Sequence, residues 1–229
     1  LPLAVVNPGE GVLVPNPGYP AYRSDVLFAD AIPHDLPLKP EIGWLPDFEA
    51  VPNDVARNTK LMFFNYPNNP TGASAPPEFF ERALAFARKH DILLAHDAAY
   101  NEMYFGDERP PSILQFPGAK EVAVEFHSAS KTFNMTGWRI GFVAGNKDVL
   151  TALGKIKSNY DSGQFAPIQE AAIAAYAGYD RRELHESRAM YQERAKVMTA
   201  GLRAAGFTVQ EPKATFYIWA GIPAGYNSM

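Results

Sequence analysis

The chain has 229 residues, of which 47% are hydrophobic and 13% aromatic. That composition supports one large domain with a sizeable buried core and excludes an intrinsically disordered chain. The formal net charge of -4 argues against a general binder of nucleic acid or anionic membranes, since both partners reward clustered lysine and arginine. The absence of cysteine excludes disulfides, thiol catalysis and cysteine–zinc sites.

Location and completeness are predicted from simple patterns. No apolar run has the length that a membrane span needs, and residues 1–6 lack the basic flank of a signal peptide. We therefore expect a cytoplasmic protein. The five histidines show no metal-ligand spacing, so no metal site is predicted. The first residue is not methionine and the last residues follow a strand-like run, so we expect a fragment.

Apolar runs and helical spacing alternate along the chain. The predicted elements, in order, are a strand at 11–15, a helix beginning at 21, strands at 59–65 and 92–97 separated by a helix at 77–90, a strand at 121–126, a polar loop at 127–132, a strand at 138–144, helices at 147–157 and 167–205, and strands at 207–209 and 215–219.

This order is typical of an α/β fold with a three-layer, mainly parallel sheet flanked by helices. We expect residues 1–175 to form a large domain, incomplete at its N-terminus, and residues 176–229 to begin a small α+β domain. Ligands bind such sheets outside the carboxyl ends of the strands. Polar motifs at 68–70, 97–100 and 128–131 each follow a predicted strand, so they are expected to meet on one rim.

Lys131 and Asp97 are the candidates for chemistry. Lys131 lies among small residues and has Arg139 eight positions later; it is either an ordinary loop lysine or an amine nucleophile beside an anion-binding guanidinium. Asp97 ends a predicted strand, where its carboxylate either caps a helix, forms a structural ion pair, or holds a cationic ligand. Taken singly, each residue is better explained by its structural role.

Three further side chains could contact a flat, polar ligand. Asn69 lies in a proline-framed turn and either satisfies its own backbone or donates to a ligand oxygen. Tyr100 either packs as an ordinary aromatic residue or donates to a phenolate-like oxygen. Tyr19, in a Pro-Gly-Tyr-Pro turn, is either an exposed turn residue or a stacking surface for a ring. Ser128 and Ser130 are candidate phosphate donors.

Together these motifs resemble those of fold-type-I, class I/II aminotransferases that depend on pyridoxal 5'-phosphate. The segments 69–72, 97–100 and 128–131, followed by Arg139, occur in that family's order and spacing. The resemblance extends over essentially all 229 residues. Any one of the motifs would be weak evidence, whereas the ordered set is highly specific.

The resemblance implies a role for each candidate. Lys131 would hold the cofactor as a Schiff base and move a proton at the substrate α-carbon, and Asp97 would pair with the pyridine nitrogen. The remaining residues would bind the cofactor: Asn69 and Tyr100 its phenolic oxygen, Tyr19 its ring face, and Ser128, Ser130 and Arg139 its phosphate.

A narrower resemblance, carried by residues 65–73, 125–128, 131–141 and 157–163, is to bacterial L,L-diaminopimelate aminotransferases. It implies transfer of an amino group between glutamate and tetrahydrodipicolinate in lysine biosynthesis. Family members are homodimers, and residues 155–169 would contribute to that contact. A complete member would carry about a hundred more residues before residue 1 and more after 229. We therefore expect the isolated chain to transaminate poorly or not at all.

Other functions remain open. Aspartate, alanine and aromatic aminotransferases share the same core motifs. A β-lyase or decarboxylase of this fold would use the same cofactor set, because reaction choice depends on which α-carbon bond lies perpendicular to the ring. A non-catalytic binding domain on this scaffold is disfavoured, since the following residues are all present: Lys131, Asp97, Asn69, Tyr100 and Arg139.

Overall fold

A computed structural model describes residues 1–226 of the chain. Seven strands form the main sheet in the order β3-β2-β1-β4-β5-β6-β7. Their bounds are β1 Gly11–Asn16, β2 Ile32–Lys39, β3 Leu45–Pro46, β4 Thr59–Asn65, β5 Leu93–Asp97, β6 Ala123–Ser128 and β7 Gly141–Gly145. The five strands β2, β1, β4, β5 and β6 run parallel, while β3 and β7 are antiparallel to their neighbours.

Nine α-helices accompany the sheet within residues 1–226. They are α1 Pro2–Val5, α2 Ala21–Phe28, α3 Asn53–Asn58, α4 Pro77–His90, α5 Ala119–Val122, α6 Ala129–Thr132, α7 Lys147–Tyr160, α8 Ala166–Ala177 and α9 Arg182–Ala204. A second, two-stranded sheet pairs β8 Thr208–Val209 with β9 Ala220–Gly221. Within that described part, no helix is long and apolar enough to cross a bilayer.

Alternating side chains of the strands build a core on each face of the main sheet. In β4, Met62 and Phe64 face a core completed by α4, where Phe79, Phe80 and Leu84 are buried. On the opposite face, the neighbouring β4 residues pack with α1, α2 and the partly buried side of α7. The predicted three-layer α/β fold with a mainly parallel sheet is therefore confirmed.

The register of the central strands fixes where polar side chains meet. Asn65, the last residue of β4, pairs with Asp97, the last residue of β5, and Asp97 pairs with Phe126 of β6. Because the three strands are parallel, the segments that follow them all leave from the same edge of the sheet. The predicted convergence of the motifs at 68–70, 97–100 and 128–131 is confirmed.

Several predicted elements were wrong. The polar stretch 127–132 is not a loop: β6 extends to Ser128, and Lys131 lies in α6. The apolar run 215–219 is not a strand, since only Ala220–Gly221 pairs with β8.

The helical stretch 167–205 is broken between α8 and α9, where Gly178 follows the first helix. Strand β2 was not predicted, because Ile32–Lys39 contains two prolines and proline is uncommon within a strand. In the sheet, β2 lies between β1 and the edge strand β3. The domain boundary at residue 175 stays a prediction.

Candidate functional site

A cavity of about 300 Å³ opens at the carboxyl ends of β4, β5 and β6. This volume is at the lower end of the range for small-molecule sites. All eight residues selected from the sequence line the cavity. They are Tyr19, Asn69, Asp97, Tyr100, Ser128, Ser130, Lys131 and Arg139.

Asn65 fixes the turn that presents Asn69. The buried Asn65 side chain donates from Nδ2 to the Asp97 carbonyl oxygen at 2.7 Å, and its Oδ1 accepts from the Asn69 amide at 2.6 Å. Asn68 closes the same turn, because its Oδ1 accepts from the amide and the hydroxyl of Thr71 at 3.0 and 2.7 Å. These bonds satisfy the backbone of a segment whose prolines cannot continue a strand.

Two donors hold the Asp97 carboxylate. Tyr22 of α2 donates its hydroxyl to Oδ2 at 2.6 Å, and the Ala99 amide donates to Oδ1 at 3.1 Å. Burial, and then the nearby Asp97 charge, raise the pKa of Tyr22 well above its ordinary value, so Tyr22 remains a donor. Its ring is stacked on Phe63 at 4.9 Å between centroids. The carboxylate is thus held in one orientation before any ligand is considered.

Tyr100 is coupled to a residue from the C-terminal part of the chain. Its hydroxyl lies 3.0 Å from that of Tyr217, and either oxygen can donate. Burial is the main cause that raises the pKa of Tyr100, so its phenol stays protonated at neutral pH. One proton is used between the two hydroxyls, which leaves the pair one further O–H for a cavity ligand.

Lys131 is presented by the short helix α6. Ser128, the residue before that helix, accepts from the Ser130 amide with its Oγ at 3.2 Å. This cap ties both serines to the start of the helix, of which Lys131 is the third residue. The Lys131 Nζ lies 5.5 Å from the centre of the Phe216 ring, a distance at which a cation is attracted to the ring face.

Arg139 and Tyr19 complete the outer part of the cavity. Arg139 has a left-handed backbone, with φ of 53°, and its Nη1 donates to the Thr136 carbonyl oxygen at 3.0 Å. The Gln164 amide donates to the Arg139 carbonyl oxygen at 3.1 Å. Tyr19 is 46% exposed and meets Tyr22 edge to face at 5.7 Å. Both residues therefore stand at the rim, open to an incoming ligand.

Sequence reasoning missed four polar residues that line the cavity: Tyr22, Asn65, His127 and Tyr217. Tyr22 stands three positions after Tyr19, a spacing that places two residues of a helical turn side by side, so this pair could have been noticed. Asn65 ends the predicted strand 59–65. Tyr217 carried no usable signal, because its position depends on a long-range contact with the 97–100 segment.

The fold and this cavity define an α/β domain with a polar cavity at the carboxyl ends of its parallel strands. The family model for aminotransferase class I and II matches residues 1–227, and the chain belongs to that family. An LL-diaminopimelate aminotransferase from Gloeobacter violaceus is 54% identical over 226 residues, which is 99% of this chain and 57% of that protein.

Two further relatives agree. An LL-diaminopimelate aminotransferase from Syntrophobacter fumaroxidans is 52% identical over 227 residues, 99% of this chain and 58% of that protein. The substrate-bound structure of BacF from Bacillus subtilis superposes with a TM-score of 0.93 at 43% identity, covering 98% of this chain and 57% of that one. The chain therefore spans less than two thirds of the length of the relatives it matches.

Proposed function

We propose that the chain is the cofactor-binding part of a pyridoxal-phosphate-dependent aminotransferase that acts on LL-diaminopimelate. The observation that carries this is the cavity itself: a lysine, an acid held at a strand end, and a group of hydroxyl and guanidinium donors line one space of about 300 Å³. Each of these residue types is common, and their convergence from three strand ends is what favours the proposal.

The donor set fits pyridoxal 5'-phosphate. Ser128, Ser130 and Arg139 offer hydroxyls and a fork-shaped cation suited to a phosphate. Asp97 offers a fixed carboxylate to the protonated ring nitrogen. Asn69 and the Tyr100–Tyr217 pair offer donors to the ring oxygen, and Tyr19 offers an aromatic surface at the rim.

Bound in this way, the cofactor supplies an electron sink that stabilises negative charge at the substrate α-carbon. The chain's residues provide positioning and proton transfer. Lys131 would anchor the cofactor through its Nζ and, once released by the substrate amine, would carry the proton at the α-carbon. Asp97 would keep the ring nitrogen protonated, and Tyr22 would keep that carboxylate from turning away.

The choice of substrate is supported by the relatives at 54% and 52% identity, which both carry the name LL-diaminopimelate aminotransferase. We infer that glutamate or 2-oxoglutarate is the second substrate, and that tetrahydrodipicolinate is the product formed from the diaminopimelate side. We also place the protein in the cytoplasm.

We further infer that the whole protein is a homodimer. In the segment 155–169, the apolar side chains of Ile156, Tyr160 and Phe165 are exposed, with Tyr160 at 82%. Large apolar side chains that are exposed within one short segment favour a protein interface. The homodimer contact predicted for this segment would bury them.

Assays with the whole protein test the proposal. Purified protein with bound pyridoxal phosphate should form glutamate from LL-diaminopimelate and 2-oxoglutarate, and Lys131→Ala should abolish this while leaving the fold intact by circular dichroism. Aspartate, alanine and phenylalanine are the comparison donors. Faster turnover of one of these would replace the proposed substrate, and release of pyruvate and ammonia from a β-substituted amino acid would indicate a lyase.

A further inference from the structure

A buried polar network lies on the α4 side of the sheet, behind the strand ends that carry the site. Its centre is Glu125 of β6, whose side chain is 1% exposed. Oε2 faces His96 Nδ1 at 2.9 Å and accepts from the Ile113 amide at 2.8 Å. Oε1 accepts from the Ser112 hydroxyl at 2.8 Å and faces His127 Nε2 at 2.7 Å. We call these five residues the Glu125 network.

The contacts, together with the lowered pKa of its carboxyl, favour an ionised Glu125. The Ile113 amide can only donate, and the Ser112 hydroxyl accepts from the Leu114 amide at 3.1 Å, so its proton is free for Glu125. Four partners fill the four acceptor sites of a carboxylate. Burial alone would raise the pKa of Glu125, but hydrogen bonds from His127, His96 and Ser112 outweigh it and hold the pKa well below its ordinary value.

His96 lies between two acceptors. Its Nδ1 faces the Glu125 carboxylate, and its Nε2 lies 2.9 Å from the Tyr66 carbonyl oxygen. An imidazole can satisfy two acceptors only when both ring nitrogens carry a proton. The ring is fully buried, stacked on Phe64 and met edge-on by Phe80. The titratable groups that face it within residues 1–226 are Glu125 and, beyond that carboxylate, His127.

The network contacts every strand end that supplies the site. Tyr66 directly follows β4 and leads into the turn that presents Asn69. His96 directly precedes Asp97, and His127 directly precedes Ser128. A buried carboxylate–imidazole pair therefore connects three backbone segments whose next residues line the cavity.

We propose that Glu125 and a doubly protonated His96 are positioning residues that set the spacing of Asn69, Asp97 and Ser128. The effect on cofactor binding rests on the proposed function, whereas the protonation of His96 does not. Loss of the Glu125 charge would leave His96 with one ring proton, and a neutral side chain at position 125 cannot accept from all four partners, so at least one contact is lost and the strand ends loosen relative to one another.

Nitrogen-15 NMR of the histidine rings in the cofactor-free protein tests the protonation. At pH 7 we expect one-bond proton couplings on both ring nitrogens of His96 in the wild type and on one nitrogen in Glu125→Gln. The resonance is assigned by its loss in His96→Gln. A single protonated nitrogen on His96 in the wild type overturns the proposal.

Equilibrium titration with pyridoxal 5'-phosphate tests the positioning. Glu125→Gln should weaken binding about tenfold, the effect of losing one hydrogen bond to a charged group. Ser112→Ala removes one donor but keeps the carboxylate and its contacts with both histidines, so it should weaken binding less than Glu125→Gln does. Leu84→Ala in α4 is the control for stability alone and should leave the affinity unchanged.

The titration has two contrary outcomes. Equal weakening in Glu125→Gln and in a Leu84→Ala protein of matched stability would reduce the network to a structural role and overturn the proposal. A wild-type protein that shows the doubly protonated His96 but binds no pyridoxal phosphate would instead contradict the proposed function.

Discussion

The contacts of Asp97 narrow the roles that its carboxylate can have. A carboxylate at a strand end has several ordinary explanations, including a cap or an ion pair. Here it accepts from Tyr22 and from the Ala99 amide, and it forms no salt bridge within residues 1–226. The carboxylate is oriented but not neutralised by a cation of the described chain, which favours a cationic ligand as its partner.

Tyr22→Phe tests this orientation. The phenylalanine ring keeps the stacking on Phe63 and removes only the hydroxyl, so the carboxylate loses one charge-assisted hydrogen bond, worth about 1.5–3 kcal/mol. We expect pyridoxal-phosphate affinity to fall about tenfold, measured by equilibrium titration. Tyr179→Phe removes a phenol that donates to another carboxylate, Glu102, outside the cavity, and should leave the affinity unchanged. Equal losses in both variants would contradict the assigned role of Tyr22.

The acid stability of the protein should depend on Glu125. Its pKa is lower in the folded chain than the value of about 4.3 expected when it is unfolded. Its charged form therefore stabilises the folded chain above that pH, and this contribution is lost as the pH falls below about 4. Urea unfolding between pH 7 and pH 3 should show a shallower decline for Glu125→Gln than for the wild type. The exposed Glu81→Gln variant should follow the wild-type curve, and parallel curves for all three proteins would refute the prediction.

At the scale of elements, β7 pairs closely with β6 at the end of β6 that carries Ser128, and this pairing leaves no room for a side chain at Gly141. A Cβ added at Gly141 would lie 2.3 Å from the His127 carbonyl oxygen, closer than any real contact. Since Gly141 pairs with Ser128 in the register, a larger residue there has to displace the strand end that carries the site.

Gly141→Ala should therefore weaken both folding and cofactor binding. We expect a loss of stability of about 1–3 kcal/mol, the usual cost of overpacking, together with weaker pyridoxal-phosphate binding. The matched control is Gly137→Ala, because a Cβ at Gly137 meets nothing within 4 Å. Thermal unfolding and cofactor titration of both variants distinguish a local displacement of β7 from a general effect of replacing glycine.

Local sequence patterns correctly predicted the elements whose structure depends mainly on their own residues. Thr59–Asn65 and Pro77–His90 were predicted with their observed bounds, because apolar alternation and helical spacing were strong and a proline or polar residue marked each end. Thr215 to Trp219 failed, since its aromatic residues pack on Tyr100 and Lys131 instead of pairing as a strand. The same long-range packing brings Tyr217 to the cavity, which no local pattern encodes.

The site residues also divide into those that local motifs predicted and those that only long-range contacts bring to the site. Lys131, Asp97 and Asn69 were found because they occur in ordered motifs directly after apolar strands. Tyr22 and the Glu125 network were not found, because their partners are distant in sequence: Tyr22 and Asp97 are 75 residues apart, and His96 and Glu125 are 29 apart. The sheet register brings His96 and Glu125 together, and the packing of α2 against the sheet brings Tyr22 to Asp97.

At the scale of the whole molecule, the described chain offers many groups to the proposed cofactor and few to the proposed substrate. Arg139 is the one guanidinium that lines the cavity within residues 1–226, and the proposal assigns it to the phosphate. A diaminopimelate substrate carries two carboxylates, which are bound most effectively by further arginines. The relatives are longer, since this chain covers 57% and 58% of them, so the additional length is where we expect those groups.

The 229-residue chain should therefore bind the cofactor but show little or no catalysis. We expect it to bind pyridoxal 5'-phosphate in a manner that depends on Lys131, but to transaminate LL-diaminopimelate poorly or not at all, because within residues 1–226 only Arg139 brings a guanidinium to the cavity. Cofactor titration and a single-turnover assay on the same preparation measure the two properties. A protein of the relatives' full length is the comparison and should turn over. Turnover by the 229-residue chain at the rate of the longer protein would show that the substrate carboxylates are held by residues already present here.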